Sequence, residues 1–504
     1  MFVHTKYLVN SFHTTVRMPP EILAVICSYL STERDAISVS QVCRHWREVL
    51  TSFPPLWTHF TCSRVFRTLA GLERCKSLPI RIEFEADSSI GALESVILHG
   101  NEIISLTINH DYYWMPPLHK LFPSPMAYLE QLHIHSGGTP REAGEGQTAG
   151  SIWQDFPFLR ELFVRQLYVP IGQFATPNLV HLILEKTWEG EKITTKSVLD
   201  MLCGSPLLET VLIANPRAPL RDIPIDHAPA SLPNLRSIEL GMHEVCSGLV
   251  PYLRFPPTAA VGFRSLKSSD VSGYEIPPKI MASSRYVLGG MDICTVILAL
   301  AATSQYLVRF EGVEGSLEIT FQHTYSWEVS TVFDSDGVLF SFSPRLNGVR
   351  ELQFAGYYIS CLDVGRLAVA MPNLASIYFF HCECDEEDSI FGIVSGSSDH
   401  QSPPFPHLKR LTVLEPGPGL IEVCRERKKW GVPFQTVVIG SKPCPYTPEQ
   451  IAELGEFVGD VRVETPPGIS EWSVGNRIFD MWSGLYFPRL VSSTPNLIII
   501  ILPG

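Results

Sequence analysis

Phe156 to Glu185 reads FPFLRELFVRQLYVPIGQFATPNLVHLILE and states one pattern twice. Leu159, Leu162 and Val164 stand at i, i+3 and i+5, and Leu179, Leu182 and Leu184 repeat that spacing. The second and third of these positions alternate with their neighbours, as in a strand with one buried face. Pro157 and Pro177 lie two residues ahead of the first leucine of each copy, where a proline-set turn fits. The same spacing occurs at Ile103/Leu106/Ile108, Leu129/Leu132/Ile134, Leu208/Val211/Ile213 and Leu235/Ile238/Leu240. It returns at Val349/Leu352/Phe354, Leu374/Ile377/Phe379 and Leu408/Leu411/Val413, with weaker copies at Phe434/Val437/Ile439, Val458/Val461/Val463 and Leu497/Ile500/Leu502.

Apolar periodicity predicts helices between several of these strands: Gly91 to His99, Thr195 to Leu202, Cys361 to Met371, Leu420 to Lys429 and Thr447 to Phe457. Strand, crossover helix, strand is the right-handed parallel arrangement. One such unit cannot bury its apolar face alone, so neighbours must stack. From Ile103 to Leu235 the copies are 20 to 30 residues apart, a spacing similar to that of leucine-rich repeats. The asparagine of the usual repeat is missing after most strands, so a parallel strand–helix stack without repeat ancestry is the plainer alternative. Two regions break the rhythm. Ser136 to Ser151 is Gly-rich and polar, the composition of an exposed loop. In Ser268 to Gly348, Met291 to Ser304 reads as a buried helix and Arg309 to Phe342 alternates like β-structure, so either two long repeats or an inserted hairpin is expected there.

The N-terminal part follows another rule. Met18 to Phe60 reads MPPEILAVICSYLSTERDAISVSQVCRHWREVLTSFPPLWTHF. Pro19 and Pro20 open a helix, where a missing N–H costs nothing, and Ile22, Leu23, Ile26 and Leu30 follow as one apolar stripe. After the polar break Ser31 to Asp35 comes a short segment, Ala36 to Val42, and then an amphipathic piece with Cys43, Trp46, Val49 and Leu50 on one side. Pro54, Pro55, Leu56 and Trp57 close the unit. These residues resemble the F-box in its fungal form: the Pro-Pro-Glu-Ile-Leu opening, the Val-Cys-Arg-x-Trp-Arg core and the Pro-x-Leu-Trp ending agree at fixed spacings. Arg34 to Ser38 is poorer in leucine than that family's middle segment, which points to an irregular second helix. A helix at Ser63 to Lys76 and a strand on Ile80, Ile82 and Phe84 come next, and Leu72 to Ile82 extends the resemblance.

The expected fold is therefore α/β, with a small all-α domain followed by a leucine-rich-repeat-like solenoid of parallel sheet and outer helices. The expected divisions are an extension at 1–17, the box at 18–60, a linker helix and first strand at 61–100, and the array at 101–504. Resemblance to F-box proteins implies a substrate-receptor subunit of an SCF (Skp/cullin/F-box) ubiquitin ligase. On that basis Pro19, Ile22, Leu23, Ile26, Leu30, Val42, Leu56 and Trp57 would meet the Skp-type adaptor and, through it, a cullin–RING ligase. Cys43 and Trp46 would hold the box's own core. The target protein would meet polar positions of the strands: Arg160, Glu161, His181, Arg236, Glu239, Tyr378, Lys409 and Arg410. An adaptor-bound scaffold without a ligase role, and a repeat-based interaction module with a vestigial box, are the alternatives.

Composition narrows the rest. Hydrophobic residues at 45 % with 18 % charged residues describe a globular chain. A net charge of −13 argues against a general nucleic-acid-binding surface. Twelve scattered cysteines without a Cys-x-x-Cys pair, and an N-terminus without a signal-peptide core, place the chain in the cytoplasm or nucleus with reduced thiols. Ile293 to Ala302 is too short to span a membrane. No Walker loop, Gly-x-Ser-x-Gly elbow or His-Glu-x-x-His motif is present, so no enzyme activity or cofactor is expected. Gly144 to Ala149 fits a loose dinucleotide fingerprint away from any strand-to-helix turn. His381, Cys382, Cys384 and Asp385 to Asp388 lack a complementary ligand pair and read as an acidic loop, not a zinc site. Asp334 to Gly337 fails as a calcium loop because Arg345 stands where a glutamate belongs. Arg425, Arg427, Lys428 and Lys429 read as favourable charges at a helix C-terminus. His110 to Trp114 reads as an aromatic loop at a strand end.

Overall fold

The computed structural model describes residues 18–30, 33–62, 65–84, 90–97, 102–110, 126–136, 156–165, 176–185, 195–214, 228–241, 249–267, 287, 293–301, 305–312, 316–322, 346–355, 364–380, 403–414, 419–440 and 446–464. The copy at Leu497/Ile500/Leu502, the loop at 137–151, the cluster His381 to Asp388, Asp334 to Gly337 and Asp111 to Trp114 lie outside them. The chain divides into two compact units, Met1–Ala259 and Ala260–Gly504. That boundary falls inside the stretch 101–504, which the sequence reading treats as one array.

The first unit opens with helices α1 (Pro20–Cys27), α2 (Glu33–Ser40) and α3 (Arg44–Ser52), then a 3₁₀ turn at Pro54–Trp57. Strand β1 (His59–Cys62), helix α4 (Val65–Cys75), strand β2 (Ile80–Phe84) and helix α5 (Ile90–Ile97) follow. The strands continue as β3 (Ile103–His110), β4 (Gln131–Ser136), β5 (Glu161–Arg165) and β6 (His181–Glu185). Helix α6 (Thr195–Cys203) leads to β7 (Thr210–Ala214), the short β8 (Ala230–Ser231), β9 (Ser237–Gly241) and β10 (Leu253–Arg254). Strands β1 to β7 and then β9 pair in parallel, each with the next. The register carries the apolar positions straight across: Ile82, Leu106, Leu132, Leu162, Leu182, Val211 and Ile238 form one row. All of them are buried.

A local turn sets that register. The N–H of Leu159 donates to the carbonyl of Phe156 at 3.2 Å, and Leu179 to Thr176, Leu208 to Ser205 and Leu235 to Leu232 repeat the bond at 3.2, 3.3 and 3.2 Å. Proline at the second position of each turn, Pro157, Pro177, Pro206 or Pro233, fixes φ where such turns need it. Each turn ends buried at both its first and its fourth residue. The next residue then bonds to the preceding rung, as when Val180 N–H donates to Arg160 C=O and Glu209 N–H to Val180 C=O, both at 2.8 Å.

The second unit reuses this device. Its elements are β11 (Ala260–Lys267), β12 (Ile293–Ala301), β13 (Gln305–Gly312), β14 (Ser316–Gln322), β15 (Glu351–Ala355), α7 (Val364–Ala370), β16 (Ser376–Phe380), β17 (Arg410–Val413), α8 (Leu420–Lys429), β18 (Thr436–Ile439), α9 (Pro448–Phe457) and β19 (Asp460–Val463). Strands β12 and β15 to β19 are parallel neighbours. Turns at Met371/Leu374 and Phe405/Leu408 carry the same bond at 3.2 and 3.1 Å. Strands β12, β13 and β14 form an antiparallel meander, and β14 pairs in parallel with β11.

The buried helix expected at Met291 to Ser304 is strand β12. A nine-residue run that is apolar except for Thr295 gives no usable periodicity, and Ile293, Thr295, Val296 and Ile297 are β-branched, which favours the pleat. The segment Arg34 to Ser38, expected to be irregular, lies in helix α2.

Helix α8 ends in a tight cap. Gly431, at φ 76°, gives its N–H to Lys428 C=O, and Val432 N–H reaches back to Arg427 C=O. Two orphan carbonyls are thereby satisfied at the position where glycine enters the left-handed region without strain. The basic run sits in the last turns of this helix, as charges favourable at its C-terminus. Arg427 is fully buried, donating to the carbonyls of Pro404, Phe405 and Leu408 at 3.0, 3.1 and 3.4 Å. Burial pulls its pKa down to about 10.

Candidate functional site

Helix α1 begins at its two prolines, and Leu23 N–H closes the first turn on Pro19 C=O at 3.0 Å. Helix α3 begins at Cys43, whose sulfur accepts from Trp46 N–H at 3.5 Å. His45 Nε2 lies 3.0 Å from Met18 O and ties the start of one helix to the other. Leu23, Ala24 and Cys27 of α1 meet Val49 and Leu50 of α3 in a small core. Met18, Leu30, Val39, Trp46, Phe53 and Leu56 pack around it. Trp57 closes the unit from below: its indole Nε1–H donates to Leu50 C=O at 2.9 Å, and the Arg74 guanidinium lies 4.4 Å from its ring centroid. That carbonyl, in the last turn of α3, also accepts from the capping Phe53 N–H at 3.4 Å, so the indole is its second donor.

The same short helix carries a second apolar face. Ile22, Val25, Ile26 and Tyr29 are 51, 56, 49 and 84 % exposed. Spacing of i, i+3 and i+4 puts Ile22, Val25 and Ile26 on one stripe of α1, opposite Leu23, Ala24 and Cys27, and Tyr29 lies in the turn that follows. Val42, before α3, is 55 % exposed as well. Leaving this much apolar side chain in water within two turns is unfavourable, so the stripe has the makings of an interface.

The residues expected to meet a partner therefore separate into three groups. Pro19, Ile22, Ile26 and Val42 are exposed. Leu30 and Leu56 are half-buried against the core. Leu23 and Trp57, at 0 and 1 % exposure, lie inside the box and present no surface, contrary to expectation. The sequence reading merged Ile22 and Leu23 into one stripe, although 100° of helical rotation separates neighbours. It also missed Val25 and Tyr29, which the same spacing could have supplied. Trp46 packs against the core, and half-buried Cys43 caps the start of α3.

Residues 15–63 match the family model described as F-box-like. F-box domains typically bind Skp-type adaptors within cullin–RING ligases and are generally adaptors themselves, not enzymes. No curated protein matches the chain. Among the described residues, no helix is long and apolar enough to cross a membrane, and no group of three or more His, Cys, Asp or Glu could hold a metal ion.

The strand residues expected to meet a target fall in both units. Glu161 and His181 stand side by side in register on β5 and β6. Glu161 is also 3.6 Å from His133, whose hydrogen bond holds its carboxyl below the ordinary value, against the opposing effect of burial. Arg160 and Arg236 are exposed beside their strands, Arg236 reaching Glu209 at 3.1 Å. Glu239 departs from expectation: at 7 % exposure it belongs to the interior. In the second unit Lys409 is exposed, and the Arg410 guanidinium lies 5.8 Å from the centroid of the Tyr378 ring. Burial and the neighbouring Glu351 push the Tyr378 hydroxyl up.

Proposed function

We propose that the chain is the substrate-recognition subunit of an SCF-type ubiquitin ligase. The box docks on a Skp-type adaptor, and leucine-rich-repeat-like sheets hold the target protein. The supporting observation is the exposed Ile22/Val25/Ile26 stripe, with Tyr29 in the turn beyond it, on a helix whose other face packs into the box core. Helix-in-groove recognition uses such spacing. Burying half-exposed aliphatic side chains of this size is worth about 1 kcal/mol each, enough in sum to hold a docked helix. The chain then works by proximity, raising the local concentration of target beside the conjugating enzyme. It acts in the cytoplasm or nucleus, where such ligases meet their targets.

Capture of purified adaptor by full-length variants tests this reading. Ile22→Asp and Val25→Asp should abolish capture while changing folding stability by no more than about 0.5 kcal/mol, as exposed substitutions do. Leu23→Asp should instead unfold the box by more than about 3 kcal/mol, because it buries a charge without a partner. A folded wild-type chain that captures no adaptor would overturn the proposal. Partners that fail to accumulate when cullin activation is blocked would leave the box as a scaffold.

A further inference from the structure

The described cations of the second unit fall into two sets. Arg425 bonds Glu422 and Glu453, Arg427 bonds three carbonyls, Lys428 bonds Glu456 O, Lys429 bonds Glu426 and Arg462 bonds Asp460. Arg350, Lys409 and Arg410 show no side-chain hydrogen bond or ion pair among the described residues. They share one end of the sheet. Ala375 N–H donates to Arg350 C=O at 2.8 Å and Lys409 N–H to Ala375 C=O at 2.9 Å, so Arg350 and Lys409 sit two strands apart, a distance of about 10 Å.

Two buried polar atoms beside them are also without partners, Arg410 Nε and Thr412 Oγ1. Thr412 stands two residues on from Arg410, hence on the same face, and it is in register with Tyr378. The carboxylate nearest in register, Glu351, stands across Ser376 from Arg410 and already accepts from Gln353 Nε2 at 2.5 Å. Unmatched cations at one sheet corner, on a chain of net charge −13, form a local field of the opposite sign to the whole.

We infer that the Arg350–Lys409–Arg410 corner binds an acidic peptide segment of the target protein. Carboxylates two or four residues apart share one side of an extended chain, at about 7 or 13 Å, which brackets the interval from Arg350 to Lys409. The Arg410 guanidinium offers planar donors to a carboxylate, and the Tyr378 ring beside it gives the peptide's apolar atoms a surface. The inference rests on the reading of the sheets as the target-binding part.

Fluorescence anisotropy on the full-length chain tests it, with a labelled twelve-residue peptide rich in Asp and Glu and an Asn/Gln analogue. The acidic peptide should bind and the analogue should not. R350Q/K409Q, which changes two exposed side chains, should weaken binding about tenfold, and added salt should weaken it in the wild type. T412V should lower affinity without lowering Tm, since it removes a buried hydroxyl that has no partner to lose. K428Q, elsewhere on the unit, should change nothing. Equal binding of the analogue, full affinity in R350Q/K409Q, or binding only of a phosphoserine version would overturn the inference. Adaptor capture on the same preparations separates the two claims: its failure removes the ligase reading and leaves the peptide result standing.

Discussion

The sheets of the two units are built from the same rung and turn, yet they match their charges differently. In the first, Glu161 meets His133 at 3.6 Å, Arg165 meets Glu185 at 3.4 Å and Arg236 meets Glu209 at 3.1 Å. Cross-strand pairs of this kind stabilise a sheet modestly. In the second, Arg350, Lys409 and Arg410 show no ion pair among the described residues, while Arg427 is buried against carbonyls. Charges paired across strands help to hold the register, and exposed cations without a pair are available to a partner.

That contrast can be broken most severely at Arg427. Arg427→Ala removes the guanidinium from the carbonyls of Pro404 and Leu408 and one of two donors from that of Phe405, which also accepts from Leu408 N–H, and Phe405 already holds an unfavourable φ of 53°. A loss of about 3 kcal/mol is expected in denaturant unfolding, and a loss within error would show that the buried cation is dispensable. A smaller effect separates the two sheets directly. Glu185→Arg sets like charges across β5 and β6 and should cost about 1 kcal/mol, whereas Arg350→Glu should cost nothing measurable because no described side chain pairs with it. Equal costs would erase the distinction.

The smallest effect is on pH dependence at Glu161. Its carboxyl titrates below the ordinary value of 4.5, chiefly through the His133 hydrogen bond. A carboxyl lowered on folding contributes stability above its unfolded-state value, and that contribution is lost as pH falls through the folded value. Its side chain is a third exposed, so screening keeps this below about 1 kcal/mol. Glu161→Gln should flatten the acid limb of stability below about pH 4.5; an unchanged limb would mean that the pair is incidental.

Much of the architecture was legible because it is local. The apolar row Leu132, Leu162, Leu182 and Val211 repeats at a fixed spacing, and helix α8 matches its expected range, Leu420 to Lys429. Failures came where chemistry depends on distant neighbours. Strand β12 needed β13 and β15 beside it to be told from a helix. Arg427 looked like its exposed neighbours until the turn at Phe405 surrounded it. In the box, type and spacing marked the segment, but the choice between Ile22 outward and Leu23 inward depended on where α3 packs.

The recurring proline turn also bears on how such a chain can change in length. Each turn restarts the register within four residues, from Phe156 to Leu159 or from Thr176 to Leu179. A rung inherits its alignment from the turn just before it and the strand beside it, not from how much chain has passed since the last one. Intervals between copies of 20 to 30 residues are then no disorder in the pattern. Evolution could lengthen, shorten or exchange a connecting segment without shifting any strand, and so alter the rim of the sheet while its core stays in step.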